Sequence, residues 1–188
     1  YDEPVYSQLS SSDYHERKSG GHFNREEFHK SPEKYSSFFT RYTQVAQILL
    51  GGAYWNPAAP VLFTREDMLD PEFKLKVIAD ITCDINGSIP STKRASTIPD
   101  PIYDYNPITD EVLPPFSSEN YVTSMAVDNL PCELPRSASE EFGRDLIDKI
   151  LKPLFDDDPE GIIERGTIAD QGVFLENFLY LQDFVKEL

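Results

Sequence analysis

A chain of 188 residues with 33 acidic and 17 basic side chains, a formal charge of −16, is sized for one domain or one and a fraction. That charge argues against a nucleic-acid or anionic-membrane partner, because both demand a basic face, although backbone amides at a helix start can still hold a small anion locally. With 39% hydrophobic and 12% aromatic residues the chain can bury a real core. Cys83 and Cys132 are too few and too scattered for a disulfide framework or a zinc site, which points to a reducing compartment; no apolar run approaches the roughly 20 residues of a membrane span.

The start, Tyr1-Asp2-Glu3-Pro4, resembles neither a signal peptide nor a usual N-terminus, so the chain is expected to be a piece of something longer. Val5 to Leu9 alternates like a short strand, and the polar tract Ser10 to Gly21 reads as a loop. His15, His22 and His29 lack partners at metal-ligand spacing and read as surface histidines; no metal site is expected. Asn24 can cap a helix over residues 24–30, with Glu26 and Glu27 in its first turn. Ser31-Pro32-Glu33-Lys34-Tyr35 restarts a helix with proline at its first position.

Gln44 to Leu50 is an uncharged strand candidate running into Gly51-Gly52-Ala53-Tyr54-Trp55. Two glycines directly after a buried strand, as Gln44 to Leu50 is expected to be, allow close approach of backbone or ligand, or form a plain tight turn; the sequence leaves both open. Thr64 can cap a short helix rich in early acids, and Val77 opens the next strand. Strand, loop, short helix, strand is a βαβ rhythm and predicts a parallel sheet.

Val77 to Ser88 is the most informative stretch. A β-branched run ends in Asp80 and continues through Asp84 to Asn86-Gly87, which reads as a buried strand delivering side chains to a site at its carboxyl end. The plainer reading is a strand followed by an Asn-Gly turn, with Asp84 as a turn-former. Residues 89–121 are rich in proline; Ile98 to Tyr105 reads as an extended surface segment, and the basic pair Lys93-Arg94 as part of a solvated loop.

Tyr121 to Val127 is the last strand of the series and ends at Asp128-Asn129-Leu130-Pro131. A long helix follows, with Pro135 just before it and Ser137 and Glu140 as a capping box. Phe142, Leu146, Ile150 and Leu154 recur every four residues, an apolar stripe that must pack on something. A final helix spans about residues 175–188. Two neighbouring strands, ending at Ile81 to Asp84 and at Val127 to Leu130, should thus share one ledge, with Asp84 and Asn129 looking into one crevice.

Val77 to Ser88 and Met125 to Arg136 resemble the carboxyl-terminal part of the alanine dehydrogenase, transhydrogenase and saccharopine dehydrogenase superfamily, as does Leu62 to Met68. The closer likeness is to the lysine–2-oxoglutarate reductase branch, the saccharopine-forming half of aminoadipic semialdehyde synthase. It rests on Phe23 to Phe28 with Ser31 to Tyr35, Gly52 to Trp55, Ser96 to Pro101, Asp128 to Pro131, Arg165 to Ala169 and Tyr180-Leu181.

The resemblance implies an α/β fold: the C-terminal half of a Rossmann-like parallel sheet, followed by helices that pack back on an N-terminal substrate domain. Residues 1–131 would be a partial dinucleotide-binding domain and 132–188 a helical return segment. It implies an NAD(P)-dependent enzyme, NADP favoured, that condenses lysine with 2-oxoglutarate to saccharopine. Tyr54, Ile81, Val127, Asp128, Asn129 and Leu130 would line the cofactor. Thr82, Cys83 and Asp84 would face substrate, with Asp84 at the place of an acid implicated in catalysis. The other readings are an alanine dehydrogenase-type enzyme, or a non-catalytic interaction or oligomerisation module.

No Gly-x-Gly-x-x-Gly occurs, so the half of the fold that grips the pyrophosphate is expected elsewhere in a parent chain, as are the family's proton-transfer lysine and histidine. The chain alone is expected to bind cofactor weakly and not to turn over. Implied partners are the small-molecule substrates, the remainder of the parent chain and a possible second copy. The implied compartment is the cytoplasm, or the mitochondrion for an animal source.

Overall fold

The computed structural model describes residues 3–186, which fall into two compact units dividing between Leu130 and Pro131. In the first unit, a short helix, Ser11–Tyr14, leads into strand β1 (His15–Arg17), which pairs antiparallel with β2 (Tyr35–Ser37). The strand expected at Val5 to Leu9 does not form; its alternating residues meet no partner edge, and Val5 and Tyr6 stay exposed. The tract read as a loop carries β1 instead, because His15 is enclosed between Tyr14 and Phe28, each ring 4.6 Å away. His15 is therefore a buried histidine, not a surface one, and desolvation lowers its pKa although Nδ1 lies 3.2 Å from the Ser11 carbonyl. Asn24 caps the helix Arg25–Lys30 as its residue type predicts, accepting the Glu27 N–H at 2.9 Å. Pro32 opens a single 3-10 turn, Pro32–Lys34.

The central sheet holds β3 (Ile48–Gly51), β4 (Val77–Asp80), β5 (Tyr103–Asn106), β6 (Glu111–Leu113) and β7 (Val122–Met125) in the order β3-β4-β7-β5-β6. Strands β3, β4 and β7 run parallel, as the βαβ rhythm predicts, so their carboxyl ends share one edge. The crossover into β4 carries one 3-10 turn, Asp67–Leu69. The Asp67 carboxylate accepts the Thr64 N–H at 2.7 Å, and the Thr64 hydroxyl receives the Asp67 N–H at 3.2 Å. Two expectations fail here. β3 is an edge strand whose Ile48 and Leu50 are exposed, and the sheet is mixed because β5 runs antiparallel to both β7 and β6.

The segment read as surface chain is in fact the most completely buried strand. Pro101 and Pro107 bracket a proline-free run, Tyr103 to Asn106, whose N–H groups can all join the ladder. Its polar side chains find partners inside. Asp104 accepts the Ser117 N–H at 2.7 Å and the Thr123 hydroxyl at 2.8 Å, and the Tyr103 hydroxyl donates to the Ser91 carbonyl at 2.9 Å. Phe39, Phe63, Met68, Ile78, Ile89 and Tyr105 form the centre of the core beside it. Lys93 and Arg94, read as solvated, are ion-paired with Asp110 and Asp100, each at 2.8 Å.

The second unit begins at Pro131. Its helix starts at Pro135, not Ser137, so Ser137 lies inside the first turn and no capping box forms; Glu140 pairs with Arg136 at 3.0 Å instead. The long helix is α-helical over Pro135–Asp145, widens to a π-helix over Leu146–Leu151 and returns to α over Lys152–Phe155. Pro153 accounts for the widening: without an N–H it leaves the Lys149 carbonyl no i+4 donor. Phe142, Leu146, Ile150 and Leu154 are all exposed. A short hairpin, β8 (Ala169–Asp170) with β9 (Val173–Phe174), precedes a 3-10 run, Glu176–Leu181, and the helix Gln182–Lys186, where a single helix was expected.

The β5–β6 hairpin yields a pH prediction. Hydrogen bonds from Lys93 and then Tyr105 hold the Asp110 carboxyl below the ordinary aspartate range. A carboxyl with a lower pKa folded than unfolded stabilises the fold above the unfolded value and ceases to do so as pH falls through the folded one. Stability should therefore decline from about pH 5 downward, and Asp110→Asn should flatten part of that decline in urea unfolding followed across pH. The change will be small, since the Asp110 side chain is 41% exposed and its pair is screened.

Candidate functional site

The shared carboxyl edge of β3, β4 and β7 is built around one buried acid. Asp80, the last residue of β4, is 2% exposed, and its two oxygens accept four hydrogen bonds. Oδ1 takes the Thr82 N–H at 3.1 Å, the Thr82 hydroxyl at 2.7 Å and the Cys83 N–H at 3.3 Å. Oδ2 takes the Thr92 hydroxyl at 2.6 Å. An acid desolvated to this degree is stable only when its lone pairs are filled, so the chain after β4 must curl back over it. That curl holds Cys83 at a φ of 55°, a left-handed conformation unusual for a side chain with a Cβ.

In that conformation the Cys83 thiol donates to the Ala126 carbonyl at 3.0 Å, at the end of β7. The same carbonyl accepts the Ser96 N–H at 2.8 Å. One oxygen thus ties together the ends of two neighbouring parallel strands and the loop between Ser88 and Ser96. Burial, followed by the fields of Asp128, Asp80 and Asp84, raises the Cys83 pKa, so the thiol is a structural donor at neutral pH.

Among the residues singled out from sequence, Thr82, Cys83 and Asp84 all follow β4, and Val127 to Leu130 all follow β7. Asp84 is half-buried; its carbonyl accepts the Gly87 N–H at 2.8 Å, so it forms the turn its type predicts while the residue keeps part of its surface in solvent. A Cβ on Gly87 would lie 2.5 Å from the Asp84 Cβ, so glycine is obligatory there. Asp128 and Asn129 are exposed, Leu130 is half-buried, and Val127 is buried, leaving only its backbone to offer. On β4's other side, a Cβ on Gly51 would lie 2.7 Å from Ile89, whereas one on Gly52 would meet nothing within 4 Å. The first glycine is therefore a packing requirement and the second faces open space. Tyr54 and Ile81 are 87% and 49% exposed.

Reading the sequence did not find the roles of Asp80, Thr92 and Ser96. Asp80 stood out only as the acid ending a strand, and Thr92 and Ser96 lie in a run of small residues that reads as plain loop. The available signal was an acid inside a β-branched run, which requires donors from somewhere; which donors, no local pattern says.

Together the parallel strand ends and their polar turns define a Rossmann-like α/β sheet with an accessible, acid-bearing edge. No protein-family model matches the chain. It is 28% identical over 205 residues to alpha-aminoadipic semialdehyde synthase, mitochondrial, of Mus musculus, covering 95% of this chain and 22% of that protein. It is 32% identical over 140 residues to the alpha-aminoadipic semialdehyde synthase of Arabidopsis thaliana, covering 72% of this chain and 13% of that one. Against the Schizosaccharomyces pombe protein named saccharopine dehydrogenase (NAD(+), L-lysine-forming), identity is 30% over 116 residues, 60% of this chain and 29% of the other. The family likeness read in the sequence is established: this chain is a relative of the alpha-aminoadipic semialdehyde synthases and of a saccharopine dehydrogenase, and it spans less than a third of the length of each.

Removing the Asp80 carboxylate should undo the ledge. Asp80→Ala leaves two N–H groups and two hydroxyls without their acceptor and should cost about 3 kcal/mol in urea unfolding. Asp80→Asn keeps one acceptor oxygen and should cost about 1 kcal/mol. In a Cys132→Ser background, Asp80→Ala should also speed alkylation of Cys83, as the thiol loses its fixed donor geometry; equal stability of Ala and parent would contradict this account.

Proposed function

We propose that this chain forms the strand-end half of a nicotinamide-nucleotide-dependent oxidoreductase of lysine metabolism and works within a longer polypeptide. The reading is supported by the names of its relatives and by one structural observation: the acid-bearing turn after β4 and the turn after β7 are tied to each other through Ala126, with Asp84 accessible beside them. Residues 1–131 act as the partial dinucleotide-binding domain, and 132–188 as the helical segment returning to a substrate domain.

The reaction is the joining of the lysine ε-amine to the C2 carbonyl of 2-oxoglutarate, with loss of water, and reduction of the resulting imine to saccharopine. NAD(P)H, NADPH by preference, supplies the hydride when bound. The residues present suit its nicotinamide half. Gly52 leaves backbone open to close approach, Tyr54 and Ile81 offer exposed apolar surface, and Asp128, Asn129 and Leu130 present polar groups and backbone at the end of β7. Val127 contributes through its main chain.

Asp84 holds the substrate nitrogen. Its carboxylate would stabilise the positive charge of the protonated imine, and Thr82 and Cys83 shape the wall beside it. Thr82 and Cys83 do so with their hydrogens turned inward, to Asp80 and Ala126, which leaves Asp84 as the acid on this turn not engaged by these bonds. In animals the parent enzyme would be mitochondrial, as the names of its mouse and cow relatives read.

A second reading, a non-catalytic interaction module, is favoured by the exposed apolar stripe of Phe142, Leu146, Ile150 and Leu154. Trp55, the single tryptophan, reports on the choice because it adjoins Tyr54. Titrating NADPH into the chain should quench Trp55 emission with a dissociation constant on the order of 1 mM, and lysine with 2-oxoglutarate should cause no loss of nicotinamide absorbance. Self-association in sedimentation with no change in Trp55 emission would favour the module instead. In the full-length protein, Asp84→Asn should lower kcat by about 100-fold with little effect on the cofactor KM; an unchanged kcat would remove Asp84 from the chemistry.

A further inference from the structure

Alongside the loop that follows β3, the first unit contains a cleft of about 530 Å³, within the volume range of small-molecule sites. Its wall is aromatic, with Phe23 and Phe28 partly exposed into it over buried Tyr14. Arg25 and His29, one helical turn apart on Arg25–Lys30, supply its charged side, and no carboxylate of the described residues lines it, in a chain whose formal charge is −16. Among the described residues Arg25 makes no ion pair; its Nε donates to His29 Nε2 at 3.5 Å, and its outer guanidinium N–H groups meet no described acceptor.

The neighbouring acids are committed elsewhere. Asp13 accepts the Ser10 N–H at 2.7 Å, and Glu27 binds Arg17, Lys34 and the Tyr35 hydroxyl. Glu26 shares the helix but lies outside the lining. The hydroxyls of Ser11 and Ser12, which also line the cleft, have no hydrogen-bond partner among the described residues. A cation with unused donors, free hydroxyls and an aromatic floor together match one ligand chemistry.

We propose that this cleft binds a small anion carrying a flat apolar body: a carboxylate or phosphate held by Arg25, on a ring lying against Phe23 and Phe28. Guanidinium binds such oxyanions through paired N–H donors, and the aromatic wall supplies the apolar contact that a bare anion lacks. The cleft adjoins the proposed nicotinamide loop only at Ala53, and none of the residues assigned to the cofactor lines it, so the two readings stand or fall separately. Ala53, just past β3, also lines the cleft, so occupancy should be felt at the start of the Gly52 to Trp55 loop.

Titration of the chain with phenyl phosphate, benzoate and inorganic phosphate, followed by backbone amide NMR, tests this. Phenyl phosphate or benzoate should shift the amides of Ser11, Arg25, His29 and Ala53 and bind at least about 10-fold more tightly than inorganic phosphate; whichever ring compound wins identifies the head group. Arg25→Gln, at an exposed position, should weaken that binding about 10-fold with an unchanged spectrum elsewhere. Phe23→Leu should erase the advantage of the ring while leaving inorganic phosphate unaffected. Equal affinity for ring compound and bare phosphate, undiminished binding in Arg25→Gln, or no cleft shifts up to about 10 mM ligand would each overturn the proposal.

Discussion

A carboxylate at the end of β4, shut away from water, is the constraint from which the candidate site follows. Asp80 ends a strand whose neighbours are apolar, and a charge there is tolerable only with a full complement of donors. Thr82 and Cys83 supply three from the turn just after the strand, and Thr92 supplies the fourth from a loop 12 residues on. Satisfying the acid dictates the turn, including the left-handed Cys83, and so aims the thiol at Ala126. Two strand ends that the sheet merely sets side by side are thereby locked to one another.

The loop between Ser88 and Ser96 is held a second time, from β5. The hydroxyl of Tyr103 donates to the Ser91 carbonyl and accepts the Lys93 N–H at 3.2 Å, while the Arg94 guanidinium lies 4.7 Å from its ring. Because β5 runs antiparallel to β7, its first residue lies toward the carboxyl end of β7, at the edge where that loop needs an anchor. A parallel strand in the same place would have put its last residue there. The antiparallel insertion is thus part of what makes the ledge rigid, and Asp84, carried between two pinned segments, can be accessible without being loose.

The elements legible from sequence were those whose cause is local. Asn24 as a helix cap, the strands at Ile48, Val77 and Val122, and the turn at Asp84 to Gly87 each follow from neighbours within a few residues. Elements set by distant partners were not. His15 is buried by Phe28, thirteen positions away. Asp104 is admitted to the core by Ser117 and Thr123, and the capping box at Ser137 fails because Pro135 starts the helix earlier. In the candidate site the same division holds: the positions of Asp84 and Asn129 after their strands were readable, whereas the Asp80 network was not.

By itself, then, the sequence determined β3, β4 and β7 as strands, that these three run parallel, and which polar residues stand at their ends, because hydrophobic period and turn chemistry are properties of short windows. Only the tertiary structure decided that β5 enters the sheet in reverse, that β3 is its edge, and that a buried acid and one backbone carbonyl weld two strand ends into a single ledge. Those outcomes depend on which donor finds which acceptor across dozens of residues, and a buried charge enforces that choice without leaving any periodic mark on the chain.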